Sequence, residues 1–121
     1  VKTAESEGEV YHPTQKPVEL GRYLIRTFSN PGDIILDNAC GSGSFLLSAI
    51  LENRRFIGIE KNEDVLLHRI QPTDYIKICM DRISETLKRE EVTPSTRKLF
   101  KKPITKYHTL NYLETDATNQ L

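Results

Sequence analysis

Two short apolar runs, each ending on a carboxylate, flank a glycine-bearing loop, and this order restricts the fold more than any other feature of the chain. Ile34-Ile35-Leu36-Asp37 is apolar up to its acid. A short continuous run of this kind suits a strand buried on both faces, as in a parallel sheet. Asn38 to Ser44 contains Gly41 and Gly43 and reads as a loop. Phe45 to about Glu52 reads as a helix, and Phe56-Ile57-Gly58-Ile59-Glu60 as a second buried strand. Strand, helix and strand in immediate succession make a βαβ unit, so the strands should be parallel with a right-handed crossover. The expected class is α/β with a partial parallel sheet.

The flanking signals are more ordinary. His12-Pro13-Thr14-Gln15-Lys16-Pro17 is too proline-rich for regular structure. Pro17 suits the first residue of a helix, which runs to about Phe28. Leu20, Leu24 and Phe28 recur at helical spacing, with Ile25 widening the stripe; Gly21 weakens the pattern. Ser29-Asn30-Pro31-Gly32-Asp33 is a stop and turn. Residues 62–68 suggest a short helix, interrupted by Gln71-Pro72. Thr73 or Asp74 can cap a longer one to about Glu91, whose stripe of Ile76, Met80, Ile83 and Leu87 reads as core packing. Beyond Pro94 the signals fade, and 104–113 can hold one more strand or a short helix. The expected organisation is an exposed lead-in over 1–11, an α/β lobe over 12–91, and a basic segment and tail over 92–121.

Composition excludes several classes. The chain has 121 residues, suiting one small domain. It is 37% hydrophobic and 28% charged, which is globular rather than disordered. No apolar run approaches the roughly 20 residues that span a bilayer. The first residues are polar and acidic (Glu5, Glu7, Glu9), unlike a signal peptide. The first residue is Val1 rather than Met, as in a fragment or processed piece. Cys40 and Cys79 are far apart in sequence, and His12, His68 and His108 are scattered, so neither metal-ligand spacing nor a disulfide framework is present. A reducing cytoplasm is the expected location. The net charge is zero, but Arg97, Lys98, Lys101, Lys102 and Lys106 form a run without acids. That run suits phosphate contacts and equally a solvated tail.

The loop carries the chemistry. A P-loop needs Gly-Lys-Ser/Thr at its end, and Ser44 is followed by Phe45. A dinucleotide fingerprint wants a third glycine where Leu46 sits. What remains is an acid at a strand end, then Gly-x-Gly at a helix N-terminus with its unpaired N–H groups. Glu60, ending the next strand, can accept hydrogen bonds from both hydroxyls of a ribose. Each feature alone is as often a tight turn or a solvated terminus. Their conjunction in one βαβ unit favours nucleoside binding.

His12-Pro13-Thr14-Gln15-Lys16-Pro17, the following helix, Pro31-Gly32-Asp33, the glycine loop and Arg55-Phe56-Ile57-Gly58-Ile59-Glu60 occur in an order that resembles one family. It is the C-terminal portion of the beta group of DNA amino-methyltransferases, and the resemblance covers about residues 11–83. It implies a Rossmann-like class I methyltransferase fold, S-adenosyl-L-methionine as cofactor, and DNA as the substrate of the complete enzyme. The methylated group would be the exocyclic amine of adenine or cytosine, as in restriction-modification. Residue by residue, Thr14, Gln15 and Lys16 match the segment beside the methionine part of the cofactor. Asp37, Gly41 and Gly43 match the loop under the methionine and ribose, with Ser42 and Ser44 adding polar contacts. Glu60 matches the acid that holds the ribose hydroxyls. His12 is either a cofactor neighbour or a loop residue.

The chain also departs from the family. Where its loop usually reads Asp-Pro-Phe, this one reads Asp37-Asn38-Ala39, so Ala39 stands in the place of an aromatic beside the cofactor, and Phe45 is the candidate substitute. Family members hold the target base with an Asp/Asn/Ser-Pro-Pro-aromatic tetrad, and no Pro-Pro occurs here. In the beta group that tetrad and the target-recognition region precede the segment seen here. No catalytic residue is therefore expected in this chain. It should act with an N-terminal segment or second chain, or self-associate. The alternative is a truncated or remnant cofactor-binding module. Cys40 follows Ala39 rather than proline, which argues against the nucleophile of cytosine-ring methylation; it is expected to be a small residue in a tight loop.

Overall fold

The structure, a computed structural model, describes residues 7–8, 15–61, 74–100, 104–107 and 111–114. In chain order its elements are α1 (Val18–Phe28), β1 (Ile34–Asp37), α2 (Ser44–Leu51), β2 (Arg55–Glu60), α3 (Tyr75–Leu87), α4 (Pro94–Lys98), β3 (Ile104–Tyr107) and β4 (Asn111–Glu114). The short helix expected over 62–68 lies outside the described residues. No helix among them is long and apolar enough to cross a membrane.

The two apolar runs form the parallel pair, with Ile34 opposite Arg55 and Asp37 opposite Gly58. Over 104–113 the sequence suggested one strand or a short helix; two strands form instead. They pair antiparallel, and β4 lies antiparallel on the far side of β2, so the sheet order is β1-β2-β4-β3. The fold is thus a small α/β unit whose parallel part has two strands.

Burial departs from expectation at β1. Phe56 and Gly58 of β2 are buried, and a Cβ on Gly58 would meet Leu46 Cδ1 of α2 at 2.7 Å. The missing side chain lets α2 lie directly on this face. Ile35, opposite Phe56, packs on the same core. Ile34 and Leu36 point the other way and are 39% and 62% exposed. β1 is therefore covered on one face, not two. Its uninterrupted apolar sequence is that of a doubly covered strand, yet the described helices supply only one layer.

α1 is held by a different face from the one its leucine spacing suggested. Gly21 and Ile25 are buried, whereas Phe28 is 80% exposed. A Cβ at Gly21 would lie 2.3 Å from Ser48 Oγ, so this glycine is where α1 and α2 touch. Ser48 Oγ donates to Val18 O at 2.8 Å across the contact. Glu52, at the end of α2, accepts from Arg22 Nε at 3.0 Å and pairs with Arg26 Nε at 2.9 Å, one helical turn apart on α1. Buried Arg54 donates to Ser29 O at 2.8 Å and Ser29 Oγ at 3.0 Å, satisfying groups at the C-terminus of α1. Pro17 is the extended residue before the helix, one place earlier than expected.

Asp74 caps α3 by accepting from Lys77 N at 3.1 Å. The helix ends at Leu87 rather than near Glu91, because Arg97 turns back to donate to Leu87 O and Arg89 O at 2.9 and 2.7 Å. Thr93 caps α4 through Thr96 N, a start the sequence reading missed. Phe100 then stacks on Phe56 at 5.6 Å, and Leu46, Ile50, Ile76, Cys79 and Val92 fill the centre.

Candidate functional site

The site is built where β1 and β2 end. Asp37 Oδ1 accepts from Ala39 N at 3.1 Å, a side-chain turn that starts the loop. Cys40 N donates to Ile59 O at 2.9 Å and ties the loop to β2. Gly43 N returns to Cys40 O at 2.8 Å, closing a tight turn. Gly41 and Gly43 hold φ of +53° and +89°, a region costly for other residues. Gly43 then caps α2 without a side chain, and its carbonyl accepts from Leu47 N.

Two more segments converge on this loop. Glu60 Oε1 accepts from Gly41 N at 3.1 Å. Ser42 Oγ donates to Gln15 Oε1 at 2.9 Å, which brings in the stretch ahead of α1. A cavity of about 280 Å³ opens between them, lined by Gln15, Lys16, Asp37, Ala39, Cys40, Gly41, Ser42, Ser44, Phe45 and Glu60. Of the residues singled out from sequence, Gln15, Lys16, Asp37, Ala39, Gly41, Ser42, Ser44 and Glu60 meet here. Gly43 does not line the cavity. It sits behind it, where a Cβ would lie 3.0 Å from Cys79 Sγ. Thr14 and His12 lie outside the described residues. Phe45, the candidate aromatic, is on the wall.

The cavity is lined by groups of both kinds, acids and donors. Asp37 and Glu60 are acceptors close enough for their charges to interact. Burial raises the Asp37 pKa, the Ala39 N–H pulls it down, and the Glu60 charge raises it again. Gln15, which accepts from Ser42, and the cationic Lys16 line the same cavity. Cys40 is buried, and its thiol is pushed well up, first by contact with the Cys79 thiol and then by burial. A thiol held protonated in this way is a poor nucleophile. Among the described residues no group of side chains is arranged to hold a metal ion.

The back of the loop is gripped by α3, which the sequence reading treated as core packing alone. Cys79 Sγ donates to Gly41 O at 2.9 Å. Arg82 Nη1 donates to Ser42 O at 2.9 Å and to Ser42 Oγ and Ser44 Oγ at 3.2 Å each. Residues 79 and 82 share one helix face beside the apolar stripe. That adjacency was the only sequence signal for them.

A family model described as DNA methylase matches residues 1–69. The chain belongs to the DNA methylase family. It is 49% identical over 72 residues to the DNA adenine methyltransferase YhdJ of Escherichia coli, covering 60% of this chain and 21% of that protein. It is 45% identical over 60 residues to the type II methyltransferase M.HindIII of Haemophilus influenzae, covering 50% and 19%. With the type II methyltransferase M.EcaI of Enterobacter cloacae the identity is 41% over 51 residues, covering 42% and 11%. The chain thus spans about a fifth or less of the length of these relatives. No solved structure matches it. The matched stretch contains the βαβ unit and the loop that lines the cavity.

Proposed function

We propose that this chain is the S-adenosyl-L-methionine-binding part of a beta-group DNA methyltransferase, a piece of a Rossmann-like class I fold. The observation that carries the reading is the cavity at the C-terminal edge of the parallel strands, lined by Asp37, Glu60, Gln15 and Lys16. Such edges are where open α/β sheets take ligands. Glu60 lines the cavity, and its carboxylate suits ribose hydroxyls. Asp37 faces the same space and suits an ammonium group. Gln15 and Lys16 suit a carboxylate. Gly41 allows the loop backbone to approach the ligand, and Phe45 offers a flat apolar wall.

Bound there, the cofactor supplies an electrophilic methyl group. The residues of this chain bind and orient it, and Cys40, held as a thiol, does not compete as a nucleophile. The acceptor would be the exocyclic amine of adenine in DNA, with cytosine as the alternative; adenine is favoured because a relative at 49% identity is named an adenine methyltransferase. No Pro-Pro-aromatic tetrad is present in the 121 residues. The base pocket would come from an N-terminal segment or a second chain, and transfer depends on positioning both reactants. The second reading, a remnant binding module, is favoured by that same missing tetrad.

Calorimetric titration with S-adenosylhomocysteine tests the cofactor reading. Wild type should bind, and Glu60→Ala should lose about tenfold or more in affinity, since hydrogen bonds to a charged group are worth about 1.5–3 kcal/mol. Equal affinities would remove Glu60 from the site. With labelled cofactor and mixed-sequence duplex DNA the 121-residue chain alone should give no turnover, and turnover would overturn the need for a second segment.

A further inference from the structure

We infer that Arg82 is a positioning residue that sets which end of the Gln15 amide faces the cavity, and so prepares the site for a carboxylate. The inference rests on the cofactor reading above. A guanidinium only donates. Arg82 Nη1 reaches Ser42 Oγ at 3.2 Å, so that oxygen accepts from it. The hydroxyl proton of Ser42 is thereby directed elsewhere, and the acceptor in line is Gln15 Oε1 at 2.9 Å. With its oxygen engaged by Ser42, Gln15 presents its NH₂ group on the opposite side. Gln15 lines the cavity next to Lys16. The Gln15 amide and the cationic Lys16 then line the same cavity as the two acids.

The same nitrogen of Arg82 also holds Ser42 O and Ser44 Oγ, and Cys79 holds Gly41 O. With these oxygens turned to α3, the loop has little acceptor character left to repel an anion. The three bonds from Arg82 to Ser42 and Ser44 leave one nitrogen, so a lysine ammonium can replace them in kind, whereas methionine cannot.

Titration of the 121-residue chain with S-adenosylhomocysteine and with 5′-methylthioadenosine, which keeps the nucleoside and thioether but lacks the amino-acid end, tests the inference. Arg82→Met should weaken S-adenosylhomocysteine about tenfold and leave methylthioadenosine within about twofold. Arg82→Lys should restore most of the loss. Ser42→Ala breaks the same relay without touching the helix, and should copy Arg82→Met even if that variant folds poorly. Gln15→Ala should lose as much, and the Gln15→Ala/Arg82→Met pair should lose no more than either alone. Equal losses for both ligands, or additive losses in the pair, would reduce Arg82 to a general support of the loop and overturn the inference. Wild type failing to bind S-adenosylhomocysteine would overturn the cofactor reading itself, and this one with it.

Discussion

Asp37 is stabilised and penalised at once. Its carboxylate organises the loop through Ala39 N, yet burial and the neighbouring Glu60 disfavour its charge, and its pKa is raised above the ordinary 3.8. A carboxyl whose folded-state pKa is raised binds its proton more tightly in the folded than in the unfolded chain. Its favourable contribution is full below 3.8 and is lost as pH rises through the folded value. Asp37→Asn keeps the oxygen that accepts from Ala39 and removes the charge. Its melting temperature should match wild type below that window and exceed it at neutral pH, while its affinity for S-adenosylhomocysteine falls. Thermal unfolding across pH checks this. A gain of the same size at every pH would exclude the buried charge as its cause.

At the scale of elements, Gly21 separates two opposing effects. On an exposed helix face, glycine to alanine gains about 1 kcal/mol in helix propensity. Here the added methyl would stand 2.3 Å from Ser48 Oγ and 2.6 Å from Phe45 Cδ1, and Ser48 is fully buried. Overpacking of this kind costs about 1–3 kcal/mol, so Gly21→Ala should be net destabilising in urea unfolding. A stabilised variant would place α1 further from α2. The position also shows where the sequence stopped being legible. The βαβ unit was readable because its signals are local: apolar runs, an acid at each end, glycines between. The face of α1 was not. Spacing alone favours three large apolar residues, and only the contact with α2 reveals that a glycine and Ile25 form the seam. The grip of α3 was hidden for a related reason. Arg82 and Ser42 are 40 residues apart, and nothing local to either announces the other. The β3–β4 hairpin lacks alternating apolar positions strong enough to separate it from a single strand or short helix.

For the whole molecule, the decisive feature is the side of the sheet that the described residues leave uncovered. Asp33 O accepts from Arg55 N, which places the backbone groups of Ile35 and Asp37 toward β2. In a parallel ladder the alternate residues, Ile34 and Leu36, then point their N–H and C=O groups to the free edge. β1 has no other neighbour among the described residues. The exposed side chains of Ile34 and Leu36 lie on the sheet face away from α2, while Leu24, Phe28, Leu36 and Phe45 line a groove of about 380 Å³ between α1 and β1. An apolar edge strand with an apolar groove beside it is a template for pairing. Within the proposed enzyme, the N-terminal segment or second chain would complete it. In the 121-residue chain by itself the edge should pair with another copy. Sedimentation should therefore show association that grows with concentration. Amide exchange at Ile34 and Leu36 should be fast in dilute solution and slow as association sets in, with Ile35 protected throughout. Leu36→Lys places a charge on the exposed face of the edge strand and removes no core contact, so it should give a monomer of near wild-type stability. A wild-type chain that stays monomeric at every concentration, with the Ile34 and Leu36 amides already protected, would mean that the edge is covered from within and that this unit closes on itself.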